Sequence, residues 1–591
     1  MKDFLKYVLA TVVGLFLFGI VAGILGMMSL VGMVASGEAT KEVKENSVLV
    51  LNLSGQMQEQ AEDNLAALLG SGMAAPIGLH ETLNAIKKAK ENKNIKGIYI
   101  EAGMFAADYA QLQEVRQALL DFKKSGKWII AYGDIYTQGT YYLASVADKV
   151  YMNPQGEVDW HGIGAQPIFV KDLMDKFGVK MQVLKVGKYK SATEMFTEEK
   201  MSDFNRQQTQ AYIDGLWKNI CSEVGASRKL SVAQLNAYAD SLITFADQKE
   251  LVKLKMVDAL LYHDQVKDAV KKQMNLGEDD KLQQVSIADM QNVKEEQPGE
   301  QIAVYYAYGD IVDNEEEGLV MGQEHQIVSG KTCRDLEELM NDDDVKAVVI
   351  RVNSPGGSAY ASEQIWRQVS LLKAKKPVVV SMGGYAASGG YYMSCNANWI
   401  VAEPTTLTGS IGIFGMIPDF SGLITQKLGV KFDEVKTNRH ATLGTPARPM
   451  NAEETAFLQK HINRGYALFR QRVADGRKMK IEEVEEVAQG HVFLGQHAIK
   501  LKLVDELGGL DVAVAKAAKL AKLNEYHTQS YPEQASFLDQ LLEQADKSSN
   551  NYLDEQMRLS LGEYYEPFML MKTINHQSAI QARMPFWMNL R

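Results

Sequence analysis

A chain of 591 residues, 46% apolar and 23% charged, has the composition of a folded protein with room for more than one core. Its formal net charge of −11 argues against general nucleic-acid binding, and neither a basic stripe nor a zinc-type Cys/His spacing argues back. The three cysteines, Cys221, Cys333 and Cys395, are odd in number and far apart, so they define no disulfide framework and read as packed thiols.

Residues 7–37 carry no charge, a run longer than the roughly 20 residues needed to cross a bilayer. The run also exceeds the apolar core of a cleavable signal peptide, so it predicts an uncleaved anchor over residues 1–37, followed by a short linker at 38–46. Lys2 and Lys6 precede the span, which orients the N-terminus to the cytoplasm and the rest of the chain to the outer side.

The first folded unit, residues 47–274, opens on the strand-like run Val48-Leu49-Val50-Leu51. A polar stretch, 275–300, reads as a connection, and a second unit, 301–520, opens on Ile302-Ala303-Val304-Tyr305-Tyr306. The two units match each other at a shift of 250, the distance from Lys96 to Lys346. Gly139 falls on Gly389, Tyr141 and Tyr142 on Tyr391 and Tyr392, Pro154 on Pro404, and Gly162 on Gly412. Strand-like and helix-like patterns alternate in both, which predicts a parallel α/β unit present twice. Beyond residue 520 an extension to residue 591 reads as mainly helical. Amphipathic stretches lie at 538–545 and 553–561 and the chain ends in apolar residues at 579–590; the extension is expected to pack on the core or on a neighbouring subunit, with membrane contact as the alternative.

The differences between the repeats carry the chemistry. An apolar strand, Ala347-Val348-Val349-Ile350, runs into Ser354-Pro355-Gly356-Gly357, whose glycines leave N–H groups free to hold an anion. A second strand delivers Ser388 between small residues, and a third glycine-rich piece presents Ser410. In the first repeat these positions are Gln138 in place of Ser388, Trp160 in place of Ser410, and Ala106-Ala107 in place of Gly356-Gly357. Conversely, the first repeat has Lys190 where the second, after a one-residue slip, has Arg439. A lysine can act as a base once burial lowers its pKa, and an arginine cannot.

One repeat thus keeps a nucleophile and the other a base, which suggests a Ser–Lys dyad across the two, with Lys190 as general base for Ser388. Bringing a lysine from about 10.4 to near neutrality takes about three pKa units, roughly 4 kcal/mol, which desolvation in a cleft can supply. Ser410 would orient the amine, and the N–H groups of Gly357 and Gly389 would face the developing oxyanion. Lys188 is an alternative base two residues away. His440 adjoins Arg439 in the repeat that keeps the serine and is the weaker histidine alternative. Position 386 is Ala, so there is no G-x-S-x-G elbow, and no P-loop or dinucleotide fingerprint is present.

The motifs Ser-Pro-Gly-Gly-Ser at 354–358, Ala-Ala-Ser-Gly-Gly-Tyr-Tyr at 386–392, Leu-Thr-Gly-Ser-Ile-Gly-Ile-Phe-Gly at 407–415 and Gly-Lys-Tyr-Lys-Ser-Ala at 187–192 together resemble the long, tandem-domain form of the signal peptide peptidase A (protease IV) family. The resemblance implies two ClpP/crotonase-like domains after a transmembrane helix, with Ser388 as nucleophile, Lys190 as base and Ser410 as its partner. It implies a membrane-bound serine endopeptidase of the bacterial inner membrane, with its catalytic domains on the periplasmic side. Its substrates would be cleaved signal peptides and similar apolar segments, and it would act as a homotetramer without cofactor or metal. Crotonase-like acyl transfer and a non-catalytic membrane scaffold are the competing expectations.

Overall fold

The computed structural model describes residues 42–61, 77–277, 279–294, 297–314, 325–532 and 580–584, with four isolated positions before residue 42. The anchor expected over residues 1–37 and the helices expected at 538–545 and 553–561 lie outside the described residues, apart from those isolated positions. Among the described residues, no helix is long and apolar enough to cross a membrane.

Both repeats build the same parallel sheet. In the first, Gln283–Val285, Ser47–Gln58, Ile95–Ala106, Trp128–Tyr136, Lys149–Val158 and Ala259–Leu260 lie side by side in that order. In the second, Tyr526–Tyr531, Glu300–Tyr308, Val345–Ser354, Val378–Ala387, Trp399–Ala402 and Glu506–Leu507 take the corresponding places. Strands buried on both faces need unbroken apolar runs. Val348, Val349 and Ile350 and their first-repeat counterparts Ile98 and Ile100 are all fully buried. The matching helices repeat as well, Tyr109–Lys123 with Ala359–Lys375, and Asp203–Arg228 with Ala452–Arg477.

The units extend past the boundaries read from sequence. The stretch 275–300 contains the edge strand Gln283–Val285 and the helix Ile287–Gln291, which completes the first unit by packing on the helix Leu79–Glu91. The second unit runs beyond 520, because Tyr526–Tyr531 pairs with Glu300–Tyr308 along its whole length.

A further sheet crosses the repeat boundary. Its strands are β1 (Lys180–Lys185), β2 (Asp310–Val312), β3 (Gly356–Ser358), β4 (Phe414–Asp419) and β5 (Ile580–Arg583), in the spatial order β2-β3-β5-β4-β1, with Gln326–Val328 at the edge beside β2. Strand β1 belongs to the first repeat in sequence but pairs antiparallel with β4 over six residues, Lys185 opposite Phe414 to Lys180 opposite Asp419. That pairing carries the segment holding Lys190 into the second repeat.

The repeats are also joined by buried charge. Arg351 donates to Glu59 at 2.8 Å and to Glu114 at 2.5 Å, all three side chains having almost no solvent exposure. Asn353, two residues on, donates to Glu59 (2.8 Å) and to Asp108 (3.0 Å), and its side-chain carbonyl oxygen accepts from the N–H of Tyr385. The carboxylates come from the first repeat, and the strands they hold lead to the glycine loop and to Ser388.

Candidate active site

Ser388 sits at the junction of the strand Val378–Ala387 and the helix Gly389–Ser394, with φ 54° and ψ −110°. A non-glycine residue in that conformation is strained, and such strain persists only where surrounding structure enforces it. Here the N–H of Ser388 donates to the carbonyl of Gly409 at 2.8 Å, and the carbonyl of Ser388 accepts from the N–H of Tyr392. A sharp strand-to-helix turn is therefore present without the G-x-S-x-G motif. Its tightness explains the glycines after it. A Cβ on Gly389 would stand 2.6 Å from Ser362 Oγ, and one on Gly390 2.9 Å from the Ser354 carbonyl oxygen.

Ser410 also has positive φ (52°), and its N–H donates to the carbonyl of His491 at 2.7 Å. Its hydroxyl and its carbonyl both turn toward the same point. Lys190 occupies that point: its Nζ lies 2.7 Å from Ser388 Oγ, 2.9 Å from Ser410 Oγ and 3.1 Å from the Ser410 carbonyl oxygen. Lys190, Ser388 and Ser410 are each fully buried.

The lysine is held by backbone, not by charge. Tyr189 donates its N–H to the carbonyl of Gln489, and Gln208 donates to the carbonyl of Tyr189 and to Ser191 Oγ. Gly490, with φ 80°, packs so closely that a Cβ there would come within 2.7 Å of Lys190 N and Cβ. Desolvation by burial holds the Lys190 amine well below the usual lysine range. A neutral amine has two N–H donors and one lone pair. Nζ stands within hydrogen-bond distance of three oxygens, so when the amine is neutral its two N–H groups can go to the Ser410 carbonyl and hydroxyl, leaving the lone pair toward Ser388 Oγ.

The alternatives read from sequence fall elsewhere. Lys188 is exposed, its ammonium lying 4.9 Å from the centre of the Phe204 ring. His440 lies against Glu453, Glu454 and Phe457. In the first repeat the equivalent site is filled. Gln138 accepts from the N–H groups of His161 and Gly162 and donates to the Gly162 carbonyl, while Trp160 is wholly buried and donates its indole N–H to Leu235.

Gly356 and Gly357 form β3 directly beside the serine, a Cβ on Gly356 reaching within 2.8 Å of the Gly389 nitrogen. The groove between β3 and β4 is occupied by β5, which lies in the apolar stretch at 579–590. It runs antiparallel to both neighbours, with Ala582 opposite Gly357, Arg583 opposite Gly356, and Gln581 between Ser358 and Phe414. The N–H of Met584 donates to the Pro355 carbonyl at 2.7 Å. The carbonyl oxygen of Ala582 lies against the backbone of the glycine loop, where a Cβ on Gly356 or Gly389 would stand 2.1 or 3.1 Å from it. A strand of four residues with mixed character gives no periodic signal, so sequence reasoning had nothing by which to find it.

A strained serine touching a buried amine, beside a glycine strand that binds an extended segment, is the arrangement of a peptide-bond hydrolase. The family model described as Peptidase family S49 matches residues 121–277 and 370–524, and one described as Clp protease matches 299–399. Protease 4 of Salmonella typhi is 37% identical over 574 residues, covering 94% of this chain and 91% of that protein. Protease 4 of Haemophilus influenzae is 34% identical over 525 residues (84% and 83% of the two chains), and the chloroplastic serine protease SPPA of Arabidopsis thaliana 31% over 492 residues (82% and 70%). Among solved structures, ClpP1 from Listeria monocytogenes aligns with 35% of this chain and 91% of its own, at 16% identity and a TM-score of 0.22. The chain belongs to peptidase family S49, the signal peptide peptidase A and protease IV family, and is a serine protease.

Proposed function

We propose that the chain is a membrane-anchored endopeptidase that cuts peptides through a Ser388–Lys190 dyad, with cleaved signal peptides and similar apolar segments as substrates. The single observation that carries the dyad is the 2.7 Å contact between two fully buried groups, Lys190 Nζ and Ser388 Oγ. Neutral Lys190 takes the hydroxyl proton as Ser388 Oγ attacks the scissile carbonyl carbon. The tetrahedral oxyanion then faces the N–H groups of Gly357 and Gly389, a contribution of roughly 3–4 kcal/mol per donor in comparable sites. Lys190 returns the proton to the leaving amine, and water activated by the same amine hydrolyses the acyl-enzyme. Ser410 fixes the amine through the two hydrogen bonds already described, leaving its lone pair for Ser388.

An extended substrate would add a strand between β3 and β4, since this groove binds β5 through backbone pairing on both sides. The uncharged run at 7–37 supports anchoring at a membrane, where apolar peptides accumulate. A homotetramer on the periplasmic side of a bacterial inner membrane completes the reading. The test is hydrolysis of a synthetic signal peptide by the full chain in lipid vesicles. Wild type cleaves it, while Ser388→Ala and Lys190→Ala do not. Equal cleavage by either variant, or cleavage of polar peptides alone, removes the assignment.

A further inference from the structure

Strand β5 reaches Asp310 through a side-chain contact that the proposed chemistry does not use. The Arg583 guanidinium lies 2.5 Å from the Asp310 carboxylate, Arg583 being 11% and Asp310 29% exposed. The two residues are not on neighbouring strands: β3 lies between β5 and β2. At about 4.8 Å per strand the backbones are separated by roughly 10 Å, so only a long side chain spans the gap. The bridge passes over β3 at Gly356, the residue opposite Arg583. Ile311, next to Asp310, pairs with Gly357, and Gly357 pairs in turn with Ala582. Asp310 is thus level with Gly356 and, across it, with Arg583, the residue that follows the Ala582 carbonyl resting on the glycine loop beside Ser388.

We infer that Asp310 is a specificity-determining residue that selects a basic side chain, Arg ahead of Lys, at the position immediately after the cleaved bond, with β5 lying in the groove as a substrate does. The inference rests on the peptidase reading above. A small residue before the bond accompanies it, because Ala582 is fully buried in the second unit's core. A carboxylate in the substrate at the basic position would face Asp310 across the glycines and be rejected. Asp310 does not touch the dyad, so it acts on which peptide is cut and not on how.

The experiment uses the full chain and four peptides built on the order Ile-Gln-Ala-X-Met, with X as Arg, Lys, Gln or Glu and cleavage positions read by mass spectrometry. Wild type is expected to favour Arg over Glu by about tenfold or more in kcat/KM, the discrimination expected of one charge-assisted pair. Asp310→Asn is expected to bring the ratio to within about twofold, and Asp310→Lys to invert it, with circular dichroism checking that each variant is folded. A residue that merely clamped β5 would change all four rates together and leave the ratio intact. An unchanged ratio in folded Asp310→Asn overturns the assignment, as does a wild type that cuts denatured casein through Ser388 yet treats the four peptides alike. Loss of all Ser388-dependent hydrolysis, casein included, in wild type would instead remove the peptidase reading on which the assignment stands.

Discussion

Glu59 of the first repeat and Arg351 of the second meet at 2.8 Å with both side chains about 1% exposed, so the strand leading to the glycine loop is fixed by a carboxylate from the other half of the chain. A buried pair of this kind stabilises little when complete, but losing one partner leaves an uncompensated charge. Arg351→Met is expected to lower unfolding free energy by about 3–5 kcal/mol, read by urea denaturation. Burial already holds Glu114 above the usual carboxylate range, and without Arg351 it rises further. The folded variant would then bind protons before the unfolded chain does, so its deficit should shrink as pH falls.

Substituting Asp108 is expected to change stability at neutral pH in the opposite direction. Burial pushes its carboxyl from 3.8 up to about 6, against the opposing hydrogen bond from Asn353. A carboxyl whose folded pKa is raised favours the folded state only while protonated, so it weakens the fold progressively as pH rises from about 4 to above 6. Asp108→Asn should therefore be more stable than wild type at pH 7, by roughly 3 kcal/mol, and equal to it near pH 3. Thermal unfolding followed across that range measures it.

Gly490 tests how tightly the amine must be held. Its φ of 80° and the 2.7 Å approach of a built Cβ to Lys190 leave no room for a side chain. Gly490→Ala is expected to displace Lys190 and reduce kcat by about 100-fold, the scale on which small misplacements of a catalytic group act. The near-ultraviolet spectrum should stay close to wild type.

Trp160 and Gln138 separate structure from chemistry in the repeat without a nucleophile. Trp160 is wholly buried and packs on Tyr141 and Trp217, at centroid distances of 5.6 and 4.8 Å. Trp160→Ala should cost about 3–5 kcal/mol of stability. Active-site titration should find each folded Gln138→Ala molecule as active as wild type, because among the described residues the Gln138 side chain bonds to its own loop at His161 and Gly162.

The duplication was legible because spacings are kept without a gap from Lys96 to Gly162 and slip by only one residue before Lys190, so a shift that superposes Gly139 on Gly389 also superposes the strands around them. The candidate site residues stood out through asymmetry, since Ser388 faces Gln138 and Lys190 faces Arg439 in the other repeat. Non-local pairing was not. Nothing local in Lys180–Lys185 says that it pairs with Phe414–Asp419, more than two hundred residues away. Nor does the short strand Ile580–Arg583 announce its groove. The strain at Ser388 was hidden because it is imposed by packing around it rather than by a glycine-bracketed motif. One signal was available and unused: a lone arginine, Arg351, inside an otherwise apolar strand calls for buried carboxylates somewhere else in the chain.

The contact between Lys190 and Ser388 is tested most directly by the rate at which a serine-directed acylating probe labels Ser388, measured against pH in wild type and in Lys190→Met. With the amine as base, labelling of wild type should fall about tenfold per pH unit once pH drops below the depressed pKa of Lys190, and Lys190→Met should be slower by about a thousandfold or more with no such acid limb. Labelling of Lys190→Met at the wild-type rate, with the same pH profile, would contradict the account.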